Sequence, residues 1–533
     1  MGSQRAELYT EFAPENGGTG QTVQGNRKIS ILINNQPYTM FESNRYILLL
    51  YTLFIGLWLI SCACRQENPV SVKPNILLIT SEDNGHQLSC YGDPYCKTPN
   101  LDILASEGIL FSSASVTQAG CSQSRASIFT GLYPHQNGQI GLATHNLAMY
   151  NDSFPNIFSE LKAAGYRTGV IGKIHVNPES SFPLDYHSTI RCGFRNRDVG
   201  AVADTAFKFI SSSEDPFILM VNYTNAHRPF IKQAKDLPQY PLKAGDVEVL
   251  PEIGIETEFI KEQLANYYNC IMRLDAGIGM LLGKLDETGK RESTMVIYLG
   301  DHGQDIIRGK RTSYEGGTRI PLIMYCPGGI LSGSGDRDKK STGDQVTNGE
   351  GKVINEMVST IDLLPTMLEI AGIAEILYLP GKSLMPFIIG QNPEWRKHLF
   401  TEFHLHSGHN FYPQRTVRNS RYKLIHNLMP GEINPGYQFT LDRFINIEAF
   451  NKQLDISPSS VRNAYMILKE PPEYELYDLE NDPFEFHNLA RDPSSLNILE
   501  ELQGELVQWK EQSNDPLRYD GNLQKFIAEL DSC

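Results

Sequence analysis

Four short apolar runs in the 533-residue chain each end in polar residues that can carry chemistry. Runs this short, without alternation of polar and apolar residues, predict strands buried on both faces of a sheet. The runs and their polar ends are Asn75–Thr80 before Ser81 to Asn84, Thr168–Ile171 before Gly172 to His175, Phe217–Val221 before Asn222 to His227, and Met295–Leu299 before Gly300 to Gly303. These four clusters are the first candidates for a functional site.

Helix-like stretches separate the apolar runs, at Leu101–Gly108, Ile157–Ala164 and Glu258–Leu285. Alternation of strands and helices predicts an α/β fold with a mostly parallel sheet. Ligands of such sheets bind beyond the carboxyl ends of the strands, where all four polar clusters fall. A turn or a helix cap explains any one cluster, but four together indicate one shared site.

A second, smaller domain is predicted after a shift in composition. Residues Gly381–Asn392 are rich in Pro and Gly, and strand candidates follow at Tyr422–Asn427 and Glu475–Asp478, with a helix at Leu496–Glu511. We therefore expect one domain at residues 74–390 and another at residues 391–533. The segment Leu331–Lys352 has no apolar period and is predicted to be a surface loop.

An export signal is predicted near the N-terminus. Residues Tyr46–Ile60 are uncharged and almost wholly apolar, and they follow Arg45. As a helix they rise only about 22 Å, less than the ~30 Å hydrocarbon core, which suits a signal peptide. The sequence Leu-Ile-Ser-Cys ending at Cys62 resembles a bacterial lipobox. We expect an exported lipoprotein, periplasmic or attached to the outer membrane or cell surface; a short membrane anchor or an ordinary cleaved signal are the alternatives.

The residues before this signal are expected to be an over-long gene start. A polar stretch ahead of a signal peptide is abnormal, whereas Met40 begins a well-formed one. The expected order is thus a superfluous stretch at residues 1–39, a lipoprotein-type signal peptide at 40–61, and a tether at 62–73.

Composition and charge exclude several classes of protein. With 41% hydrophobic and 10% aromatic residues, the chain can bury a large core and is neither disordered nor fibrous. Its net charge of −15 argues against non-specific binding to nucleic acid, which requires neutralisation of phosphates. An anionic substrate would need a locally positive site. The nine cysteines are too sparse for a disulfide scaffold, and none forms a C-x-x-C zinc pattern.

Acidic residues and an imidazole in two of the clusters suggest a metal site. Glu82 and Asp83 follow the first predicted strand, and Asp301 and His302 follow the last. Hard divalent cations bind such oxygens, and Ca²⁺ accepts more ligands and looser geometry than Mg²⁺. Helix capping or ion pairing explains many isolated acid pairs, so the hypothesis depends on the two clusters meeting.

The segment from Cys121 to Gly131 reads CSQSRASIFTG. It resembles the signature C-x-P-S-R-x-x-x-T-G of the formylglycine-dependent sulfatases, whose cysteine is oxidised after translation to formylglycine. Further ordered matches to the family are Thr98 to Asp102, Gly165 to His175, Gly300 to Gly303, Lys310, Glu315 to Pro321 and Glu475 to Asp478. Within the family the chain looks most like the heparan N-sulfatases (N-sulfoglucosamine sulfohydrolases), through Cys121 to Ser127, Pro134 to Gly138, Gly172 to Val176 and Tyr422 to Leu428.

The resemblance implies an alkaline-phosphatase-like α/β fold: a large mixed, mostly parallel sheet between helices, then a smaller α+β domain with an antiparallel sheet. It implies a hydrolase that removes the sulfate of a sulfated glycan, chiefly the N-sulfate of glucosamine in heparan or heparin fragments. It implies one Ca²⁺ per chain and, as its ligands, Glu82, Asp83, Asp301, His302 and the modified Cys121. The implied partners are the glycan and the formylglycine-generating maturation enzyme, with no nucleic acid and with membrane contact only through a lipid anchor at Cys62.

The resemblance also implies a two-step reaction. One oxygen of the hydrated aldehyde attacks sulfur, and an acid, either His227 or Lys310, protonates the departing amine or alcohol. A base, assigned to His175, then takes the proton of the second hydroxyl, and sulfate leaves. Lys173 and Lys310 belong to the group around the sulfate, and Arg125 is expected to hold the formylglycine or the metal-site carboxylates.

Three departures from the family pattern stand out. Gln123 replaces the usual Pro or Ala, at a position read by the maturation enzyme, so the conversion of Cys121 needs a direct test. Glu82 replaces a commoner Asp, which adds a bond of about 1.5 Å to the reach of that ligand. Ile174 stands where a polar or aromatic residue is commoner, and this is expected to be harmless.

Three other functions stay open at this stage. An O-sulfatase of another glycosaminoglycan sugar would use the same chemistry. A glycan-binding lipoprotein without turnover would result if Cys121 stayed a thiol. A phosphomonoester or phosphodiester hydrolase on the same fold would usually carry Thr or Ser at the nucleophile, often with a two-metal histidine set.

A histidine- and arginine-rich stretch of the second domain is a candidate for substrate choice. Such side chains suit the carboxylates and sulfates of an acidic glycan, although a solvated face is the alternative. None of them is assigned a catalytic role. The stretch consists of His404, His406, His409, Arg415, Arg418, Arg421 and Lys423.

Overall fold

The computed structural model describes residues 73–189, 197–328, 351–407, 410–519 and 521–531. The predicted signal peptide, the Cys62 anchor, the tether up to residue 72 and the loop up to residue 350 lie outside these ranges and stay predictions. Among the described residues, no helix combines the length and the apolar character needed to cross a bilayer.

The larger sheet has nine strands within the described residues. They are β1 (Asn75–Ser81), β2 (Ile109–Ser115), β3 (Arg167–Ile171), β4 (Tyr186–Ser188), β5 (Phe217–Tyr223), β6 (Thr294–Gly300), β7 (Arg319–Tyr325), β8 (Lys352–Ile354) and β9 (Val358–Ser359). Their order is β4-β3-β5-β1-β6-β7-β2-β8, and β9 pairs with β2. Only β7 runs antiparallel to its neighbours, β6 and β2. The prediction of a mixed, mostly parallel sheet is confirmed.

Fourteen α-helices accompany the strands in the described part of the chain. They are α1 (Pro99–Glu107), α2 (Cys121–Thr130), α3 (Pro134–Asn137), α4 (Ile157–Ala163), α5 (Val199–Ser211), α6 (Glu258–Glu287), α7 (Glu315–Thr318), α8 (Leu363–Ile370), α9 (Met385–Ile388), α10 (Pro435–Phe444), α11 (Ile447–Ile456), α12 (Ser459–Lys469), α13 (Leu496–Gln512) and α14 (Asn522–Asp531). The helices predicted between the first four strand runs are confirmed as α1, α4 and α6.

Strand β1 shows why the apolar runs are continuous. Successive side chains of a strand point to opposite faces of the sheet. Ile76 and Leu78 pack in one hydrophobic cluster with Phe129 of α2, whereas Leu77 and Ile79 pack in another with Ile271 of α6. Because helices cover both faces, the central positions Ile76 to Ile79 are all apolar.

The carboxyl ends of the central strands lie side by side. Ser81 at the end of β1 pairs with Tyr223 of β5 and with Gly300 of β6, and Ile171 of β3 pairs with Val221 of β5. The polar residues that follow these strands therefore come to one edge of the sheet. The sequence prediction that the four clusters meet agrees with this register.

The second sheet is antiparallel, with the order β10 (Leu399–Phe403), β11 (Gln414–Arg418), β12 (Tyr422–Asn427) and β13 (Tyr474–Asp478). Leu502, Leu506 and Trp509 of α13 pack on it. Strands β12 and β13 and helix α13 confirm the prediction, but β10, β11 and the helices α10 to α12 were not predicted. The predicted loop up to Lys352 is also wrong at its end, because Lys352 begins β8 and pairs with Ile109.

A buried ion pair ties β11 to the C-terminal region. Arg415 donates from Nε and Nη2 to the two carboxylate oxygens of Asp515 at 2.6 and 2.9 Å, and both side chains are fully buried. Burial opposes ionisation of Asp515, but Arg415 lowers its pKa to about 2. Arg415 also lies 3.7 Å from Glu402, so one buried guanidinium compensates the charges of two carboxylates.

Replacing Arg415 by methionine is expected to lower the free energy of unfolding by about 3 to 5 kcal/mol, because Asp515 is left buried and uncompensated. Urea denaturation followed by fluorescence measures this change. The control is Arg421→Met, which removes a pair with Asp478 at 2.7 Å whose arginine is 45% exposed. This control is expected to cost at most about 1 kcal/mol. Equal losses in the two variants would contradict the prediction.

Candidate active site

The loop after β1 carries two fully buried carboxylates. The Glu82 backbone N–H donates to the carbonyls of Tyr223 and Asn225, which fixes the loop against the end of β5. Asp83 has a φ of 52°, in the left-handed region, and its N–H donates to Asp301 Oδ1 at 3.0 Å. The loops after β1 and β6 are thereby joined, so their acidic side chains share one space.

Cys121 is the first residue of helix α2, and its side chain is buried. Its Sγ lies 3.2 Å from His302 Nε2 and 3.3 Å from Lys310 Nζ. Burial alone would raise the pKa of this thiol, but the charges of Lys310 and Lys173 lower it well below its ordinary value. A helix N-terminus and nearby cations favour an anion at this position.

Each of the three carboxylates at the site contacts at least one cationic side chain. Lys310 Nζ lies 2.8 Å from Asp83 Oδ1, Arg125 Nη2 lies 3.2 Å from Asp301 Oδ2, and Lys173 Nζ lies 3.1 Å from Glu82 Oε2. Burial opposes ionisation of Glu82, but Lys173, His227 and Arg125 lower its pKa to about 2. Burial likewise opposes the charge on Lys310, and Asp83 outweighs it and raises the pKa of the ammonium group.

The predicted metal ligands form an oxygen-rich group that suits a divalent cation. Ligand atoms of Asp83, Cys121 and His302 all lie within 4.8 Å of one another. Glu82 Oε1 and Asp83 Oδ2 are buried and accept no hydrogen bond from the described residues. A buried carboxylate oxygen without a donor is costly, and a hard cation would satisfy it. The residues present therefore fit a divalent metal ion.

A cavity of about 520 Å³ opens above these groups. Five of the six residues predicted to be catalytic line it, namely Cys121, Lys173, His175, His227 and Lys310. His175 has a φ of 59°, and burial lowers its pKa, so its imidazole is neutral near pH 7. This volume is in the ordinary range for a small-molecule site.

Arg125, the sixth residue, is fully buried and donates from Nε and Nη2 to Asp301 Oδ2. Its Nη1 donates to the carbonyl of Lys173 at 3.0 Å. One guanidinium thus connects the metal-site carboxylate to the loop that carries Lys173 and His175. Its contacts agree with the expectation that it holds a metal-site carboxylate.

The basic stretch of the second domain is arranged differently from the expectation. Arg415 pairs with Asp515, Arg421 pairs with Asp478, and both Arg418 and Lys423 contact Glu315. The hypothesis that these four cations face an acidic glycan is wrong, because internal carboxylates bind them. His409 lies outside the described residues.

His406 is the member of that stretch that lines the cavity. It is half-buried and interacts with the Cys121 thiol, and its low exposure to water lowers its pKa to about 3. His187 lies in the edge strand β4 and also lines the cavity. It was not predicted to be a site residue. The histidine-rich composition pointed to the segment around His406, but no local pattern distinguished this histidine from His404.

Comparison with known proteins gives consistent matches. Residues 74–373 match the family model described as Sulfatase. The chain is 30% identical over 499 residues to human N-sulphoglucosamine sulphohydrolase, covering 85% of this chain and 93% of the relative. It is 28% identical over 465 residues to an ulvan-active sulfatase of Formosa agariphila, covering 85% and 83%.

A solved structure shares the fold. It is a protein in complex with its substrate D-glucosamine-2-N,6-O-disulfate, at a TM-score of 0.59 and 20% identity, and the match covers 84% of this chain and all of that one. At this identity the likeness concerns the arrangement of helices and strands. It agrees with the two sheets described above.

Proposed function

The chain belongs to the sulfatase family and acts on sulfated glycans, and we propose that it hydrolyses the N-sulfate of glucosamine in heparan or heparin fragments. We propose further that Cys121 is converted to formylglycine and that the divalent ion is Ca²⁺. The observation that carries the proposal is the position of Cys121, at the floor of the cavity between Lys310 and His302.

The charges around the cavity support an anionic substrate. Lys173 and Lys310 line it together with four histidines, His175, His187, His227 and His406. The two ammonium groups, which line the cavity together with Cys121, can hold the oxygens of a sulfate as charge develops on them. An acidic protein with a net charge of −15 thus presents two ammonium groups to its cavity.

The choice of an N-sulfate is supported by the relatives. Human N-sulphoglucosamine sulphohydrolase, 30% identical over 85% of this chain, carries that reaction in its name. The sequence segments through which the chain resembles the heparan N-sulfatases support the same choice. An O-sulfated sugar is the alternative substrate, and it would use the same nucleophile and the same cations.

Formylglycine at position 121 would supply the nucleophile, and a divalent ion held by Glu82, Asp83, Asp301, His302 and the modified Cys121 would supply Lewis-acid polarisation of the sulfate when bound. The chain's own residues do the rest. His227, with Lys310 as the other candidate, donates a proton to the departing nitrogen. His175 lies against Cys121 as a neutral imidazole, and it takes the proton that must be removed before sulfate leaves.

Peptide mass spectrometry of the Cys121 segment, combined with sulfate release from N-sulfoglucosamine and from a 6-O-sulfated analogue, tests the proposal. We expect formylglycine at Cys121 and release from the N-sulfated sugar only. Release from the O-sulfated sugar alone would keep the chemistry and overturn the substrate. A protein made with a competent maturation system that retains the thiol and releases no sulfate would overturn the enzyme proposal in favour of a glycan-binding protein.

A further inference from the structure

Gln123, the departure from the family signature, connects the nucleophile helix to a distant part of the chain. It is the third residue of α2, and its side chain is fully buried. Its Nε2 donates to the carbonyl of Leu405 at 2.6 Å and to the carbonyl of Ile140 at 3.3 Å. The glutamine therefore bonds two loops that lie 17 and 282 positions away.

A second glutamine makes the same pair of contacts. Gln118 Nε2 donates to the carbonyls of Leu405 and Ile140 at 3.0 and 3.5 Å. The Oε1 atoms of both glutamines accept no hydrogen bond from the described residues. Because carbonyls only accept, each side chain is held through its NH₂ group alone. Gln123 therefore holds the two loops through the hydrogen-bond donor of its side chain rather than through the shape of that side chain.

Both loops bonded by Gln123 form the wall of the cavity. Leu405 directly precedes His406, and the carbonyl of His406 accepts from the N–H of Leu142, another lining residue. Ser122 Oγ accepts from the N–H of Ala143 at 2.9 Å. The first turn of α2 and the two loops thus make one hydrogen-bonded unit, with Cys121 at one end and His406 at the other.

We propose that Gln123 is a positioning residue that holds His406 against the glycan, next to the sulfate. A proline at this position fits the first turn of a helix but has no side-chain donor, so it cannot bind the Leu405 carbonyl. His406 has a buried Nε2 without a hydrogen bond from the described residues, and it lines the cavity. It can bond an uncharged hydroxyl of the sugar that bears the sulfate.

This inference rests on the proposed function, and Gln123→Met tests it because methionine has a similar shape and no donor. Per site converted to formylglycine, we expect the KM for N-sulfoglucosamine to rise about tenfold, the size of one hydrogen bond, with kcat changed less than about twofold. Quantifying formylglycine by mass spectrometry separates this effect from incomplete maturation. In a His406→Ala background, Gln123→Met is expected to leave the KM unchanged within about twofold, because the two residues act through one contact.

The matched control is Asn269→Leu. Asn269 lies on helix α6, and its buried side-chain amide donates to the carbonyl of Leu242 at 2.9 Å. This variant is expected to leave the KM unchanged. The inference would be overturned if Gln123→Met did not raise the KM. It would also be overturned if Gln123→Met raised the KM equally in the wild-type and His406→Ala backgrounds.

Hydrogen exchange tests the positioning without any reference to activity. Gln123→Met is expected to speed exchange in the peptide covering residues 403–407, whereas Asn269→Leu is not. If the wild-type protein releases no sulfate, the proposed function fails, and exchange still decides whether Gln123 holds the wall. Unchanged exchange in Gln123→Met would overturn the positioning role in either case.

Discussion

Replacing Cys121 by serine is expected to lower the steady-state rate of sulfate release by at least about a thousandfold. Serine keeps one hydroxyl beside Lys310 and His302, so it can attack sulfur. It has no second hydroxyl from which His175 could take a proton, so the sulfate stays bound to the serine. A burst of one product per site, followed by no turnover, and a peptide heavier by one SO₃ group are the expected observations.

A control for the loss of a buried thiol is Cys96→Ser. Cys96 is free and fully buried in the hydrophobic cluster between the sheet and α6, and it does not line the cavity. This variant is expected to keep the wild-type rate per converted site. Steady turnover by Cys121→Ser at a rate near that of the wild type would show that the nucleophile lies elsewhere.

Replacing Lys310 by methionine is expected to lower kcat by about a hundred- to a thousandfold, as for the loss of one preorganised donor. Lys310 Nζ lies between Asp83 and Cys121, where it can stabilise sulfate oxygens and hold the carboxylate in place. Sulfate release per converted site measures the effect. Circular dichroism melting shows whether the variant is folded.

The comparison variant is Lys284→Met. Lys284 pairs with Glu287 at 2.8 Å on the exposed surface of α6, where ion pairs contribute little. We expect its kcat to stay within about twofold of the wild type. A Lys310→Met enzyme that is folded, converted and equally active would remove Lys310 from the reaction, and the proton donor would then have to be His227.

Local patterns in the sequence were enough to predict β1, β3, β5 and β6, because a strand covered on both faces has a continuous apolar run through its centre. They were also enough to place the ligand residues together, since parallel strands end at one edge. Strand β11 was missed for the opposite reason. Its two arginines are buried through carboxylates about a hundred positions away, Asp515 and Glu315, and charged residues do not otherwise predict a buried strand.

The proposed role of His406 could not be predicted from the sequence either. Its position depends on a loop of the second sheet region reaching Cys121, 285 positions earlier in the chain, and hydrogen bonds from Gln118 and Gln123 hold that loop there. Such contacts join residues that share no period and no motif. Comparison with the sequence motif showed that Gln123 departs from the family pattern. Only the structure showed which carbonyls its side-chain amide contacts.

All ten residues of helix α2 are buried, including Gln123 and Arg125. In the native state this segment is helical and inaccessible to a second enzyme that would oxidise Cys121 by binding the residues around it. On the proposed function, the modification therefore has to be installed on the nascent or unfolded chain, before the sheet assembles over it. A cell that folds this protein faster than it modifies it would accumulate a stable, inactive product that later addition of the maturation enzyme could not rescue.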